Sequence, residues 1–346
     1  MSPASSNTTD TVLAALPPAN SAPVNIVAPA AAAVVPVPVP PLMPTANGGP
    51  TDLQSYIYEA GFVHAAWADT LLEIDTPGAP EPRQAFRLHA LFLSRSPVLY
   101  QLLTAAAPSR VVDSEGGFPL RCIALHTDDA NLGPVGCSMV IATLYGRSLD
   151  LRWAGVEVVS SVIACGALLG LDGVARAGVK FLLSSVVSNG APEGGLDHLQ
   201  QVLQFALSCG SSSSANEIND KNHDETNDNK THNNESIDID YAGPYPLYTK
   251  GFLKYVVDFL VTSVDAGPQL NDLIYALPYA IVKYICEHAG LRVGAGGHLA
   301  RHKFVGLVAA TRRKKIDDGY EENAIIAFDN GKSRVVLVRK PIKKKK

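Results

Sequence analysis

The sequence predicts an α+β protein in which a small β-sheet flanked by helices is followed by a helical region that ends in a β-hairpin. Three observations support this fold class. Short apolar runs typical of strands occur within residues 68–126, and apolar residues at helical spacing follow them. Near the end, Asn330-Gly331 separates two apolar runs, which is a strong hairpin signal. Because 47% of the 346 residues are hydrophobic, the chain can bury a substantial core.

Two segments are predicted to be disordered, and they divide the chain. Residues 1–52 are rich in Ala, Pro and Val, and their PVPVPP run favours polyproline II, which either docks on an SH3- or WW-type module or forms a passive tail. Residues 208–245 are expected to form an acidic linker that lets the flanking modules move, because residues 211–240 carry a net charge of −6. The remaining parts are a module at 53–190, a helical extension at 191–207, a helical C-terminal module with its hairpin at 246–338 and a basic tail at 339–346.

The first module is predicted to begin with a hairpin. Residues 68–74 and 84–88 read as strands on either side of a Pro-Gly-Ala-Pro turn at 77–80. Ser96-Pro97 is typical of a helix start, with an N-cap serine before a proline in the first turn. Residues 121–126 form a third predicted strand.

Three helices are predicted after the third strand. They cover residues 136–145, 156–169 and 172–185, where apolar residues recur at helical spacing. Gly146 and Gly170 follow the first two helices directly, as expected for residues that adopt a left-handed conformation at a helix C-terminus.

Taken in order, these elements resemble the BTB/POZ domain family, in a divergent, fungal-type form. Residues 68–74, ADTLLEI, resemble the first strand of the family. Residues 86–99, FRLHALFLSRSPVL, resemble its strand–His–helix signature, and residues 140–146, VIATLYG, resemble an apolar helix that ends in Tyr. The resemblance covers about 130 residues and implies the BTB/POZ fold. The individual residues that carry it are Gly61, Asp69, His89, Arg95, Ser96 and Tyr145.

The resemblance implies a scaffold or adaptor for proteins that forms a homo-oligomer, recruits a partner, or does both. Two departures from the family narrow this expectation. Ala90 stands where many members have Lys or Arg after the signature His, so the charged groove of the transcriptional members loses its cation. Residues 136–139, GCSM, lack the Glu of the hydrophobic-x-Glu motif found in many cullin-binding members. A nuclear transcription or chromatin regulator and a substrate receptor of a cullin-based ubiquitin ligase therefore remain as alternatives.

The polar residues of the first module are expected to have structural roles. Asp69 and His89 lie at the edges of apolar strands, so we expect both to be buried and hydrogen-bonded. Arg95 and Ser96 are expected to cap and tie the ends of nearby helices. A polar pair in a core needs no catalytic explanation.

The second module is predicted to be helical before its hairpin. Apolar residues at helical spacing predict a helix over residues 248–263, a second that Pro278 opens, and a third over residues 304–311. Strands are predicted at 324–328 and 334–338, on either side of the Asn-Gly turn.

Two basic runs close the chain. Such runs serve as nuclear-localisation signals, contact phosphates or form solvated tails. No zinc-finger, helix-turn-helix or RNA-recognition signature accompanies them, so nucleic acid is not a predicted partner, and the expected location is the cytoplasm, the nucleus or both. The runs comprise Arg312, Arg313, Lys314 and Lys315, and Lys343, Lys344, Lys345 and Lys346.

No catalytic residue, cofactor or metal site is predicted. The five cysteines form no CxxC pair, which argues against a zinc site and a disulfide framework. Residues 294–299 are glycine-rich but lack GxGxxG spacing. Cys286 and His288 are too close along one helix to aim at a common atom. Repeated prolines in residues 22–43 argue against a membrane span.

Overall fold

The computed structural model of this chain describes most of both predicted modules. The predicted N-terminal tail, most of the acidic linker and of the turn at 77–80, and Lys343 to Lys346 lie outside the described residues. Every described residue belongs to one unit that spans residues 35–346. The described ranges are 52–77, 83–105, 110–111, 120–189, 195–210, 245–264, 268–294, 297–315, 319–329 and 332–342.

A four-stranded sheet forms the centre of the first module. Its strands follow the order β2-β1-β4-β3, and β1 pairs antiparallel with β2 and parallel with β4. Alternate residues of β1 and β2 are buried, and Leu72 lies between Phe86 and Ile123 in the register. The three predicted strands are confirmed, and β3 was missed because two residues are too few to show a period. The strands are β1 (Thr70–Asp75), β2 (Arg83–Leu88), β3 (Arg110–Val111) and β4 (Leu120–His126).

Six helices and a π-helix accompany this sheet in the part of the module that the structure describes. Helix α4 packs against α5, and α5 packs against α6. The approach of α4 to α5 is close, because a Cβ on Gly136 would lie 2.3 Å from Ser161 Oγ. The Ser161 hydroxyl also bonds the N–H and the C=O of Gly133, which precedes α4. The helices are α1 (Leu53–Tyr56), the π-helix that continues it (Ile57–Val63), α2 (Ala90–Leu93), α3 (Pro97–Ala105), α4 (Pro134–Leu144), α5 (Val156–Leu168) and α6 (Asp172–Asn189).

The C-terminal module is helical and ends in a two-stranded sheet, as predicted. Helix α10 is an addition to the predicted set, and the first residues of the predicted linker, up to Gly210, form the last turn of α7. Strand β6 also runs three residues into the predicted basic tail, because Pro341 still pairs with Tyr320. The elements are α7 (Leu196–Gly210), α8 (Pro246–Thr249), α9 (Phe252–Ser263), α10 (Pro268–Ala276), α11 (Tyr279–Glu287), α12 (Gly297–Lys315), β5 (Tyr320–Asp329) and β6 (Lys332–Pro341).

The two predicted modules share one hydrophobic core. Helices α6 and α7 pack against α9, and the ring of Phe205 contacts the rings of Tyr245 and Phe252. The Tyr245 hydroxyl donates to the Asp129 carboxylate, and Tyr248 donates to Asp172 at 2.5 Å. The expectation that the linker lets the modules move apart is therefore wrong for the described residues, because such motion would expose this shared apolar surface.

A buried ion pair attaches the C-terminal hairpin to α12. Arg312 is 3% exposed, and its guanidinium donates to the Glu322 carboxylate at 2.8 Å. The same guanidinium donates to the carbonyl oxygens of Tyr275 and Leu277 at 2.8 and 2.6 Å. Because both charges are removed from water, each needs the other to remain in the core.

Ser96 links two helices of the first module, and its replacement tests that link. Its buried hydroxyl donates to the Leu169 carbonyl at 2.6 Å and accepts from the Leu99 N–H at 3.2 Å, which caps α3. We expect Ser96→Ala to lower the free energy of unfolding by about 1–3 kcal/mol, measured by urea denaturation of the full chain. Thr104→Ala is the control, because this exposed hydroxyl on the same helix bonds only carbonyls of its own turn. Equal losses in the two variants would contradict this role of Ser96.

Arg312 and Arg313 are adjacent in sequence but differ in burial, so they form a matched pair for a second test. Arg312→Ala leaves the buried Glu322 carboxylate with only the more distant Arg339 guanidinium, at 3.9 Å, and should lower the free energy of unfolding by about 3 kcal/mol. Arg313→Ala removes only a half-exposed ion pair with Glu321 and two weaker polar contacts, and should cost less than about 1 kcal/mol. Thermal and urea unfolding of the full-length variants measures the difference, and similar costs would rule out the buried-pair account.

Candidate protein-interaction site

The hydroxyl of Tyr145 joins the end of α4 to the turn that precedes α2. It lies 3.0 Å from both the backbone nitrogen and Nδ1 of His89. The other ring nitrogen, Nε2, lies 2.8 Å from the Ala66 carbonyl, which can only accept. The hydrogen bonds therefore assign the His89 proton to Nε2, so that Nδ1 accepts from the Tyr145 hydroxyl while the His89 N–H donates to it. We call Ala66, His89 and Tyr145 the His89 cluster.

Tyr145 is buried among aromatic rings. Its ring centroid lies 4.4 Å from that of Phe92 and 5.4 Å from that of Phe62. Gly61 of the π-helix approaches so closely that a Cβ there would lie 3.2 Å from the Tyr145 ring. Burial raises the pKa of Tyr145 well above its usual range, so the hydroxyl keeps its proton and remains a donor at neutral pH.

Asp69 secures the same turn from the other side. Its carboxylate accepts the N–H of Ala90 at 2.7 Å and the hydroxyl of Thr70 at 2.8 Å. The expectation that Asp69 is buried is wrong, since the residue is exposed, and His89 is only half-buried. Asp69 comes just before β1, at the end of a central strand, where its backbone bonds Leu88 and Arg121 but its side chain reaches solvent. The backbone N–H of Ala90 thus donates to the Asp69 carboxylate, and the Ala90 side chain carries no positive charge.

The remaining residues of the family signature tie helix ends. Arg95 donates from Nη1 to the Leu144 carbonyl at 2.6 Å, at the last residue of α4. Ser96 bonds the carbonyl of Leu169, just beyond α5. Together with the His89 cluster, these contacts place the predicted residues in one frame around α2 and the start of α3. These contacts hold the backbone in position. None of the residues in them forms a catalytic arrangement.

A strained loop lies beside the His89 cluster. Ala65 and Trp67 have φ of +47° and +58°, in the left-handed region that costs residues with a side chain about 1–2 kcal/mol each. Hydrogen bonds hold the loop, from Ala66 N–H to the Ala60 carbonyl at 2.8 Å and from Ala68 N–H to the Ala65 carbonyl at 3.1 Å. The third restraint is the His89 ring on the Ala66 carbonyl. Strain that persists under such restraints is typical of functional sites.

The loop presents Trp67 to solvent. This side chain is 74% exposed, and Leu91, on the neighbouring helix α2, is 75% exposed. The segments that carry them are fastened together by the bonds from His89 to Ala66 and from Ala90 to Asp69. We call Trp67 and Leu91 the Trp67–Leu91 patch. Sequence reasoning missed it, although a tryptophan among alanines directly before a strand was the available signal.

The stretch that replaces the cullin-type motif is not at the surface. Gly136, Cys137, Ser138 and Met139 are all buried in the first turns of α4. In the folded chain they expose little side-chain surface to a partner. The region therefore offers neither the glutamate nor the exposure that the motif needs.

The first basic run is divided by the fold. Arg312 is buried with Glu322, whereas Arg313 and Lys314 are exposed. The side chain of Lys315 and the second run, Lys343 to Lys346, lie outside the described residues. The use of these runs for nuclear import stays a prediction, with Arg312 unavailable to an import receptor in the folded chain.

The described residues show no arrangement for catalysis at Cys286. The thiol is buried, and burial raises its pKa to about 12, so it is protonated at neutral pH. Among the described side chains, no group of three His, Cys, Asp or Glu residues is placed to hold a metal ion. No helix within the described ranges has the length and apolarity needed to cross a membrane.

Comparison with known proteins supports the resemblance. A protein of Schizosaccharomyces pombe (strain 972) described as BTB/POZ domain-containing protein 2 is 27% identical to this chain over 296 residues. The match spans 83% of this chain and 87% of that protein. No family model matches the chain. The similarity extends well beyond the 130 residues that carry the motifs. The chain is therefore a distant, near full-length relative of a BTB/POZ domain protein, as its sequence pattern predicted.

Proposed function

We propose that the chain is a protein-interaction scaffold or adaptor that self-associates through the Trp67–Leu91 patch of its BTB/POZ domain. The observation that carries the proposal is an exposed tryptophan held on a strained, hydrogen-bonded loop. A BTB/POZ domain implies protein–protein interaction as the general role. A large aromatic side chain on a held backbone suits that role, since it has few rotatable bonds and loses little conformational entropy when a partner covers it.

A second copy of the chain is the partner that the patch fits best. A twofold interface buries the same surface on both copies, so each Trp67 meets the apolar surface of the other. Trp67 and Leu91 carry no charge that self-pairing would bring together. The Asp69 carboxylate beside them already accepts two hydrogen bonds from its own chain. Recruitment of a different protein would then use other surfaces of the dimer, as an adaptor requires.

A nuclear regulatory role is a second candidate with one supporting observation. Arg313 and Lys314 are exposed at the end of α12, where an import receptor or a phosphate could reach them. The role depends on Lys343 to Lys346 for most of its charge. The cullin-receptor alternative gains no support, because residues 136–139 are buried and lack the glutamate.

Substitution of the Trp67–Leu91 patch tests self-association directly. Full-length chain carrying Trp67→Ala and Leu91→Ala should dissociate at concentrations where the unsubstituted chain is paired through this domain, with Kd raised at least about hundredfold. Sedimentation equilibrium over a concentration series measures this change. The large apolar side chains at an interface centre account for most of the binding free energy, which is the physical reason for the size of the effect.

Trp153→Ala is the matched control for this experiment. Trp153 is 56% exposed, also lies in the BTB/POZ domain, and is located between α4 and α5 rather than beside the His89 cluster. Its substitution should leave Kd within about twofold of the original value. Equal effects of the two changes, or a patch variant that associates as strongly as the unsubstituted chain, would refute the proposed surface.

A further inference from the structure

The hairpin of β5 and β6 has two edges, and its register shows which backbone groups lie on each. Ala324 is opposite Leu337. In an antiparallel pair, a residue and its opposite either both bond across the pair or both point away. Leu337 points away, because its N–H donates to Glu287 at 3.1 Å and its C=O accepts from Tyr279 at 3.0 Å. The backbone N–H and C=O of Ala324 therefore point away from β6, on the outer edge of β5.

Two further contacts agree with this assignment. The Glu322 carbonyl, two residues before Ala324, also points away from β6 and accepts from Arg313 at 3.1 Å. Ile342 donates to the Gly319 carbonyl at 2.9 Å, which places odd-numbered residues of β5 in the pairs that bond across. By the same alternation, Ile326 and Phe328 direct their N–H and C=O groups outward.

The outward backbone groups of β5 and β6 differ in whether they have hydrogen-bond partners. At Leu337, the side chains of Tyr279 and Glu287 satisfy both backbone groups. The backbone groups of Ala324, Ile326 and Phe328 have no hydrogen-bond partner among the described residues. Unpaired groups of this kind are a template for the addition of another strand.

The composition of the open edge lacks the usual protection. Residues 324–328, AIIAF, contain no charge, proline or glycine. Ile326 is 48% exposed and Phe328 is 82% exposed. Strand β6, by contrast, carries Arg, Lys and Pro over residues 339–341, which are the residues that keep strand edges unpaired. A two-stranded sheet is also marginal by itself and gains stability from further strands.

We infer that β5 of one copy pairs with β5 of a second copy, antiparallel and centred on Ile326, to form a continuous four-stranded sheet. This register places Ala324 opposite Phe328 of the second copy and engages all three open residues. About six new hydrogen bonds result, since each of three pairs exchanges two. The interface is self-complementary, as a twofold axis through Ile326 requires.

The open backbone groups select the second copy and this register. With the axis at Ile326, all three open residues pair with open residues of the second copy. With the axis one residue earlier, at Ile325, Phe328 would lie opposite Glu322, whose carbonyl accepts from Arg313. With the axis at Ala324, the pairing would need the Glu322 carbonyl that Arg313 already occupies. The uncharged five-residue stretch thus matches itself in one register.

This inference does not depend on the Trp67–Leu91 patch, which lies in the other module. Two self-complementary surfaces on one chain produce either a closed dimer, when their axes coincide, or a chain of copies, when they do not. Pairing through β5 therefore adds a second mode of self-association, and its failure would leave the proposed role of the BTB/POZ domain intact.

Single-cysteine cross-linking of the full chain tests the register. In the Ile326→Cys variant, the two substituted residues meet at the twofold axis about 5.5 Å apart between Cα atoms, which is within disulfide range. In the Phe328→Cys variant, they are offset by four residues, or about 13 Å along the strands, which is beyond that range. Under mild oxidation we expect covalent dimer to form roughly tenfold or more faster in Ile326→Cys than in Phe328→Cys.

The comparison is decisive because random collision predicts the opposite order, since position 328 is more exposed than position 326. The unsubstituted chain, oxidised in parallel, gives the background from the native cysteines. The same preference is expected when Trp67→Ala and Leu91→Ala are also present. Cross-linking of Phe328→Cys at an equal or higher rate, or of Ile326→Cys at only the background rate, would overturn the inference.

Discussion

The fold of the first module depends on one buried hydroxyl that both donates and accepts. Tyr145 donates to Nδ1 of His89 and accepts from its backbone N–H, so the end of α4 is fixed to the start of α2. The ring of His89 then reaches the Ala66 carbonyl and holds the loop before β1. A buried polar group without a partner costs about 1–3 kcal/mol, so loss of any member leaves the others unsatisfied. The cluster thus constrains three segments together: the end of α4, the start of α2 and the loop before β1.

The exposure of the Trp67 and Leu91 side chains follows from that constraint. With Ala66 held, Trp67 is kept in a left-handed conformation that it would otherwise leave, and its indole is presented to solvent. Leu91 projects from the helix that begins directly after His89. The C-terminal module provides a second kind of surface, a strand edge whose specificity comes from backbone groups. In the two proposals, side chains dominate recognition at the first surface, and hydrogen-bond register dominates at the second.

The sequence predicted the fold class and the residues of the frame, but not their environments. Alternation in β1 and β2, the caps at Ser96 and the Asn-Gly turn are local signals, and local signals determine element type. The contact of His89 with Tyr145 joins residues 56 apart, and the family resemblance named both residues but not their contact. Arg312 has the same side chain as Arg313, and composition cannot show that one of them is buried. Trp67 was missed because strain and exposure are properties of the folded backbone.

Self-association of Tyr145→Phe is the most direct measurement of the central claim. This change removes the hydroxyl and keeps the ring, so it acts on the Trp67–Leu91 patch only through His89. If the His89 cluster positions the patch, Kd should rise roughly tenfold, about 1.4 kcal/mol, in sedimentation equilibrium of the folded full-length variant. Both the variant and its reference carry Ile326→Lys, a charge on the strand edge that blocks pairing through β5. A variant that remains folded and associates with an unchanged Kd would contradict the account.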